Sequence, residues 1–335
     1  MTTTSPLTHR LDQAIASRHP WLDSDHQAAF RLLNGFSEGA PGLVFDIYAR
    51  TLVIHDHTPN PTSTQPLIQA AVEHLRHSLN WLRAVILKTR NAPTRPAQQG
   101  MLLFGEQADT RIREHGVQYA INLTLNQDSS FYLDTRHLRH WLIANMQGKA
   151  VLNTFAYTGS LGVAAMAGGA AHVVQTDRNR TFLNLAKDSS ALNGFPIIKK
   201  DFIAQDFFPA IARLKSESQH FDCVILDPPF FSTTTRGRVD QEQDSARLIN
   251  KVRPLINDGG WLVTINNALY VSGAEYLRTL EALCQDGYLE IAELIPVPED
   301  CTGYHIDTQP ITDPAPFNHS TKIAILKVRR KASSA

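Results

Sequence analysis

The chain has 335 residues, 43% of them hydrophobic, so it is long enough for two domains with cores of their own. Its formal net charge is zero, which argues against a large nucleic-acid-binding footprint but not against a local basic face. Three widely spaced cysteines favour neither a disulfide framework nor a zinc site. There is no signal-peptide pattern and no apolar run of about 18 residues, the length of a membrane span, so we expect a cytoplasmic protein without membrane contact.

The first third of the chain predicts an arm followed by a small domain. Residues 1–27 begin with a Thr/Ser-rich stretch without hydrophobic periodicity, which predicts a loose arm. Residues 28–115 predict a small α+β domain, with a hairpin over 43–48 and 51–55, a helix over 67–79 and a strand over 84–89. His55 and His57, like His137 and His140, lack a carboxylate or cysteine at ligand spacing, so we predict no metal site.

The rest of the chain, residues 116–335, predicts an α/β domain with a parallel sheet. Apolar strands alternate with helices, and polar residues end consecutive strands. The carboxyl ends of parallel strands share one edge of a sheet, where ligands bind in such folds. The predicted strands run over 150–155, 172–177, up to 202, 223–226 and 261–265.

Two strand ends and one turn predict a nucleotide site. The small residues around Gly159 let the backbone approach a ligand. Asp177 follows Gly159 by 18 residues, close to the spacing at which an acid takes the ribose hydroxyls of a dinucleotide. Asp201 and Phe202 are suited to an adenine, the carboxylate on its amino group and the ring against the purine. The turn lacks the Gly-x-Gly-x-x-Gly pattern, and no P-loop sequence is present.

The fourth strand ends in Asp227-Pro228-Pro229-Phe230, a pattern suited to a planar nitrogen group. The Asp227 carboxylate and the Pro228 carbonyl can accept hydrogen bonds from an amino group. The prolines fix the backbone, and Phe230 offers a ring for stacking a base. The alternative is an ordinary turn after a strand.

With these motifs, the chain resembles the class I S-adenosylmethionine-dependent methyltransferases, in particular the large-subunit ribosomal RNA methyltransferases that modify cytosine C5 or guanine. The resemblance spans residues 28–328 and implies a Rossmann-like core with a mostly parallel seven-stranded sheet, ending in an antiparallel hairpin over 288–294 and 322–328. The matching segments are Phe131–Arg136, Asn153–Ser160, Asp227–Ser232 and, in the small domain, Glu38–Tyr48.

The resemblance also implies residue roles and the cofactor, S-adenosyl-L-methionine. Asp134 and Arg136 would hold the methionine end of the cofactor. Phe155, Tyr157 and Gly159 would wall it. Asp177 would take the ribose and Asp201 with Phe202 the adenine, while the segment from Asp227 to Phe230 would face the methyl acceptor.

The identity of the acceptor atom depends on the residues after the fifth strand. Methylation at cytosine C5 needs a thiolate that adds to C6, and the cytosine members of the family carry that cysteine just after this strand. Here Asn266 and Asn267 stand there, as in the guanine-modifying members, and they could read the base edge. We therefore expect methylation of a guanine nitrogen in RNA, with ribosomal RNA as partner. A small-molecule N-methyltransferase and a non-catalytic cofactor-binding, ribosome-associated protein are the alternatives.

The chain departs from this family at its start, which leaves no room before residue 28 for the PUA-type RNA-binding module common there. Either a basic face formed by arginine and lysine residues of the small domain replaces this module, or those residues form a scattered solvated surface. The loop over 295–321 is too long for an idle hairpin connection, and we expect it on the substrate side. The sequence leaves open whether the protein forms a homodimer. The candidate basic residues are Arg76, Arg83, Lys88, Arg90, Arg95, Arg111 and Arg113.

Overall fold

The computed structural model describes residues 6–234, 237–241 and 244–330. It comprises two compact units, one formed by Met1–Leu133 with Pro298–Gln309, the other by Asp134–Val297 with Pro310–Ala335. The first unit thus extends beyond the predicted boundary near residue 115 and includes a later stretch of chain. Within the described ranges, no helix is both long and apolar enough to cross a bilayer.

A five-stranded sheet forms the centre of the first unit. Its strands follow chain order, with β3 and β4 parallel and the other neighbours antiparallel, and β6 and β7 form a separate hairpin. The predicted hairpin and third strand are present, whereas the helix begins at Pro61 because proline suits a first helical turn. The elements are α1 (Pro6–Ser17), β1 (Ala29–Asn34), β2 (Leu43–Tyr48), β3 (Thr51–Asp56), α2 (Pro61–Ser78), β4 (Ala84–Thr89), α3 (Arg95–Gln99), β5 (Met101–Phe104), β6 (Arg111–Glu114) and β7 (Val117–Ala120).

The prediction of a loose N-terminal arm is wrong for the residues that the structure describes. Residues 1–5 lie outside them, but residues 6–17 form α1. Leu7, Leu11 and Ala14 recur at helical spacing and are buried in the core of the first unit. The sequence pattern did not indicate this helix because polar residues surround the few apolar ones.

The second unit contains a seven-stranded sheet with helices on both faces. The fold class predicted from the sequence is present, including the terminal antiparallel strands. Its elements, with one short helix that belongs to the first unit (α10), are α4 (Arg136–Asn145), β8 (Ala150–Thr154), α5 (Ser160–Ala167), β9 (His172–Asp177), α6 (Arg180–Leu192), β10 (Phe202–Ala204), α7 (Phe207–Ser216), β11 (Phe221–Leu226), β12 (Phe231–Thr234), β13 (Gly237–Asp240), α8 (Ser245–Val252), β14 (Ile256–Asn266), α9 (Gly273–Cys284), β15 (Leu289–Ile295), α10 (Glu299–Thr302) and β16 (Lys322–Val328).

The strand order of this sheet is β10-β9-β8-β11-β14-β16-β15. The first five strands are parallel, and β16 is antiparallel to both of its neighbours. Both faces are buried because adjacent residues on one strand point to opposite cores: Val151 packs with α4 and α5, and Leu152 with α7, α8 and α9. Leu226 pairs with Thr154, so β8 and β11 end at the same level.

Part of the long 295–321 loop is built into the first unit. The Arg18 guanidinium donates to both carboxylate oxygens of Glu38, at 2.7 and 2.6 Å, and to the Asp300 carbonyl at 3.2 Å. The Asn34 amide donates to the Cys301 carbonyl at 2.8 Å, and the Tyr304 backbone N–H to Glu38 at 3.1 Å. A buried ion pair is stable only when such additional hydrogen bonds satisfy it. The Pro298–Gln309 stretch therefore has a structural role, and its substrate-side role stays a prediction.

Candidate active site

A carboxylate held by backbone N–H groups lies at the end of β9. One oxygen of Asp177 accepts a hydrogen bond from the Tyr157 N–H at 3.0 Å, and the other from the Asn179 N–H at 2.8 Å. Burial raises the pKa of this carboxyl, and the two N–H groups oppose that shift. Each oxygen can accept a further hydrogen bond. The carboxylate is therefore oriented to receive a pair of hydroxyl groups.

The turn between β8 and α5 has an unusual backbone. Phe155, Tyr157 and Gly159 all have positive φ, at 52°, 51° and 78°. Bulky residues rarely adopt this conformation, and such strain clusters at ligand sites. A Cβ atom on Gly159 would lie 2.3 Å from the Ala186 Cβ and 2.7 Å from the Gln175 side-chain oxygen, so only glycine fits. The three predicted wall residues are thus brought together beside Asp177.

The predicted position of Asp201 and Phe202 at the carboxyl edge is wrong. The strand does not end there but begins at Phe202, and it is Ala204 that pairs with Asp177. Asp201 therefore lies toward the opposite end of the strand. Its carboxylate is buried and contacts the His172 Nε2 at 2.9 Å.

A second acid–aromatic pair, Asp206-Phe207, follows β10 and was missed. Asp206 precedes α7, and its side chain makes no hydrogen bond to the N–H groups of that helix. The Phe207 ring stacks on Phe155, with centroids 4.6 Å apart and an interplanar angle of 20°. The sequence contains Asp-Phe twice, and the signal was the position of the second pair after the apolar stretch of Phe202–Ala204.

Two carboxyl groups influence each other near the end of β11. Burial and then repulsion by Asp134 raise the pKa of Asp227 to about 7. Asp134 itself accepts a hydrogen bond from the Thr321 hydroxyl at 2.7 Å. Arg136 opens α4 two residues later, and its side chain is buried. Near pH 7 the Asp227 carboxyl can therefore exchange its proton, as a catalytic base or acid must.

Gln241 joins the loop after β11 to the end of β14, and no sequence motif pointed to it. This residue is 1% exposed. Its side-chain N–H₂ donates to the Pro228 carbonyl and, at 3.4 Å, to the Ile265 carbonyl. Its side-chain oxygen accepts from the Asn267 N–H at 2.7 Å, and its own N–H donates to the Phe230 carbonyl at 3.0 Å. The Pro228 carbonyl is thus engaged within the protein, while the Phe230 ring is 43% exposed.

The prediction that Asn266 reads the base edge is wrong, because its amide is buried and already bonded. The N–H₂ group donates to the Gln241 carbonyl and the Ser245 hydroxyl, both at 3.2 Å. Its oxygen accepts from the Ala268 N–H at 3.1 Å. Asn267 is exposed. Asn266 therefore shapes the end of β14, and only Asn267 can present a side chain to a substrate.

The predicted basic face of the first unit is weakened by burial and pairing. Lys88 is buried and donates to the carbonyls of Gln99, Asn126 and Asp128. Arg90 pairs with Asp128 at 3.5 Å, and Arg113 with Asp25 at 2.7 Å. Exposed and paired arginines contribute little net field. The remaining candidates, Arg76, Arg83, Arg95 and Arg111, stay predictions.

The strand order, the strained turn beside Asp177 and the buried Asp227 together define a class I methyltransferase. The family model of S-adenosylmethionine-dependent methyltransferases matches residues 45–299. The chain belongs to this family. The predicted fold, family and cofactor class are thereby confirmed, whereas the roles of the individual site residues stay predictions.

Several relatives are named as ribosomal RNA methyltransferases. The chain is 33% identical over 273 residues to ribosomal RNA large subunit methyltransferase K/L of Colwellia psychrerythraea, which covers 78% of this chain and 37% of the relative. It is 28% identical over 256 residues to ribosomal RNA large subunit methyltransferase I of Aliivibrio fischeri, which covers 76% of this chain and 65% of that protein. The chain thus spans less than two thirds of the length of either relative.

Solved structures share the fold at low sequence identity. A methyltransferase determined in complex with SAH superposes with a TM-score of 0.83 at 20% identity, covering 96% of this chain and 80% of the other. An S-adenosylmethionine-dependent methyltransferase from Streptococcus mutans gives a TM-score of 0.81 at 19% identity, covering 98% and 83%. At these identities the likeness shows the fold alone.

Proposed function

We propose that the chain methylates a guanine nitrogen in ribosomal RNA with S-adenosylmethionine as donor. The observation that carries this proposal is Asp227, a buried carboxyl whose pKa is raised to about 7, on a chain that has Asn266 and Asn267 where cytosine C5 chemistry would need a cysteine. The names of the relatives support ribosomal RNA as the substrate class.

The residues around the strained turn fit the cofactor. Asp177 has two oxygens fixed by backbone N–H groups and able to take the ribose hydroxyls. Asp206 and Phe207 replace Asp201 and Phe202 as the candidates for the adenine, because they follow β10 and Phe207 stacks on Phe155. Asp134 and Arg136 remain the candidates for the methionine end. When bound, S-adenosylmethionine supplies an electrophilic methyl group on a sulfonium.

In this proposal Asp227 acts on the nucleophile. A guanine nitrogen needs no covalent intermediate, but the enzyme must hold the reacting atoms about 3–3.5 Å apart. The ionised Asp227 carboxylate would accept a hydrogen bond from the attacking N–H group and then its proton, and the exposed Phe230 ring would stack on the flipped base. In this scheme Gln241 holds the Pro228 and Phe230 backbone in place.

The positions of the three cysteines oppose cytosine C5 chemistry. Cys223 is fully buried within β11, three residues before the strand ends, and burial raises the pKa of its thiol. Cys284 ends α9, and the pKa of its half-buried thiol is also raised by burial. Cys301 is buried in the first unit. A nucleophilic cysteine acts as the thiolate, and burial disfavours that form at Cys223 and Cys284.

The direct test compares modified nucleosides in cells with and without the gene. Digested ribosomal RNA is analysed by mass spectrometry, and RNA from the deletion strain is then incubated with purified protein and labelled S-adenosylmethionine. We expect one methylguanosine to disappear on deletion and to return in vitro. A missing 5-methylcytidine instead would overturn the nitrogen assignment. Unchanged RNA, with label in a small aromatic amine, would establish the small-molecule alternative.

A further inference from the structure

A basic groove lies along the free edge of the seven-stranded sheet. Among the residues that the structure describes, the edge strand β10 pairs with β9 and with no other strand. Beside it is a cavity of about 430 Å³ between α6, the segment 199–205 and the Arg213 turn of α7. Ala204 and Gln205 line one part of it, and Ala204 pairs with Asp177. The groove therefore reaches the carboxyl edge, where the candidate site lies.

Half of the ten groove residues are cations, and none is an acid. In the part of the chain that the structure describes, no carboxylate forms an ion pair with Arg180, Lys199 or Lys200, and all three are exposed. The nearby Asp201 carboxylate is engaged with the His172 ring. In a chain of zero net charge, this is a local concentration of positive charge. The five cations are Arg180, Lys187, Lys199, Lys200 and Arg213, of which Arg213 is paired with Glu217 at 2.8 Å.

The groove also offers an aromatic ring. The Lys187 ammonium lies 5.3 Å from the centroid of the Phe202 ring, and both residues line the cavity. Aromatic rings between cations are a common feature of surfaces that bind single-stranded nucleic acid, where the cations follow the phosphates and the ring stacks on a base. Phe202 therefore lines this groove and does not lie at the carboxyl edge of the sheet.

The cofactor does not account for these charges. S-adenosylmethionine has no phosphate, and its single carboxylate is outweighed by its positive sulfonium and amino groups. We propose that the groove binds the phosphodiester backbone of the RNA that carries the methyl acceptor. This inference rests on the proposed function, since it deepens the RNA assignment. It places the RNA contact in the same unit as the candidate active site.

The test measures the salt dependence of RNA binding. The double variant Lys199→Gln with Lys200→Gln is compared with Arg278→Gln plus Arg329→Gln, which removes the same charge from exposed positions outside the groove. The probe is large-subunit ribosomal RNA from cells lacking the gene. For single-stranded contacts, each lost phosphate contact lowers the slope of log K against log salt by about 0.7. We expect the groove variant to lose up to about 1.4 in slope and roughly tenfold in affinity at low salt, with unchanged cofactor binding.

The outcomes separate this proposal from the one it rests on. If the wild type neither binds nor methylates the RNA, the proposed function fails. If the wild type methylates the RNA while both double variants keep its slope and affinity, the groove proposal alone is overturned. Aggregation of the groove variant with RNA affinity intact would also overturn it, because edge lysines would then serve only to keep other strands from pairing.

Discussion

Two aspartates end strands of the same sheet, but their surroundings differ. Asp177 is bonded through both oxygens to backbone N–H groups, which fix its orientation. Asp227 is buried beside a second carboxyl, and its pKa rises to about 7. The first arrangement suits binding, because it presents acceptors in a fixed direction. The second suits chemistry, because a group that titrates near working pH can take a proton.

The largest effect should follow from removing the Asp227 carboxyl. In Asp227→Ala the acceptor nitrogen loses its hydrogen-bond partner and base, so kcat should fall by about a hundredfold or more. Calorimetry should give a cofactor affinity close to that of the wild type. Near-normal turnover would show that Asp227 is only a turn residue.

Removing the Asp177 carboxyl should weaken cofactor binding and leave kcat intact. Asp177→Ala should weaken S-adenosylmethionine binding by about 1–3 kcal/mol through the loss of hydrogen bonds to the ribose. At saturating cofactor its kcat should stay close to the wild-type value. If Asp177→Ala lowers kcat as strongly as Asp227→Ala does, Asp177 takes part in the chemical step and not in binding alone.

Asp134→Asn tests the coupling of the two carboxyl groups. In the folded state Asp227 keeps its proton up to about pH 7, whereas in the unfolded state it loses it near the ordinary value of 3.8. The free energy of unfolding contributed by Asp227 therefore falls as pH rises from about 4 to about 7. Removing the Asp134 charge should lower the pKa of Asp227 and narrow this window. Urea unfolding of the cofactor-free protein between pH 4 and 8 measures this decrease in the free energy of unfolding. The variant Asp227→Asn has no carboxyl at this position and should lack the contribution of Asp227.

The pH dependence of activity should run opposite to that of stability. Methyl transfer needs the ionised carboxylate, so kcat should rise with pH through the pKa of Asp227 and then level off. In Asp134→Asn the rise should move to lower pH. An unmoved profile would mean that another group controls it.

The outcome at each strand end shows what the sequence can and cannot predict. Asp177 is the last residue of β9 and Asp227 directly follows β11, and each of these strands has six residues, so both positions were predictable from local pattern. Asp201 was misplaced because β10 has only three residues, and a strand this short can be shifted along an apolar stretch without a visible change in pattern. Asn266 was misassigned because its partners Gln241 and Ser245 stand 25 and 21 residues away, and local motifs do not encode such contacts.

A smaller effect is expected at Gln241. Gln241→Leu keeps the volume but removes the donors to Pro228 and Ile265 and the acceptor for Asn267. We expect kcat to fall about tenfold while cofactor affinity is kept, because the loop after Asp227 loses its orientation. Gln285→Leu, at an exposed position, is the matched control. If thermal stability falls and kcat per folded molecule does not, Gln241 is a packing residue only.

The smallest effect should come from replacing all three cysteines. Cys223 and Cys301 are buried and Cys284 is half-buried, so the variant with Ala at 223 and 301 and Ser at 284 should lose stability, about 1 kcal/mol for each buried position. Its kcat at a temperature where it is folded should stay within about twofold of the wild type, since no thiol contacts the acceptor in the nitrogen mechanism. RNA containing 5-fluorocytosine should form no covalent adduct with the wild-type protein. An adduct that disappears with a single cysteine replacement would make that thiol the nucleophile, and Asp227 would then serve cytosine chemistry rather than a guanine nitrogen.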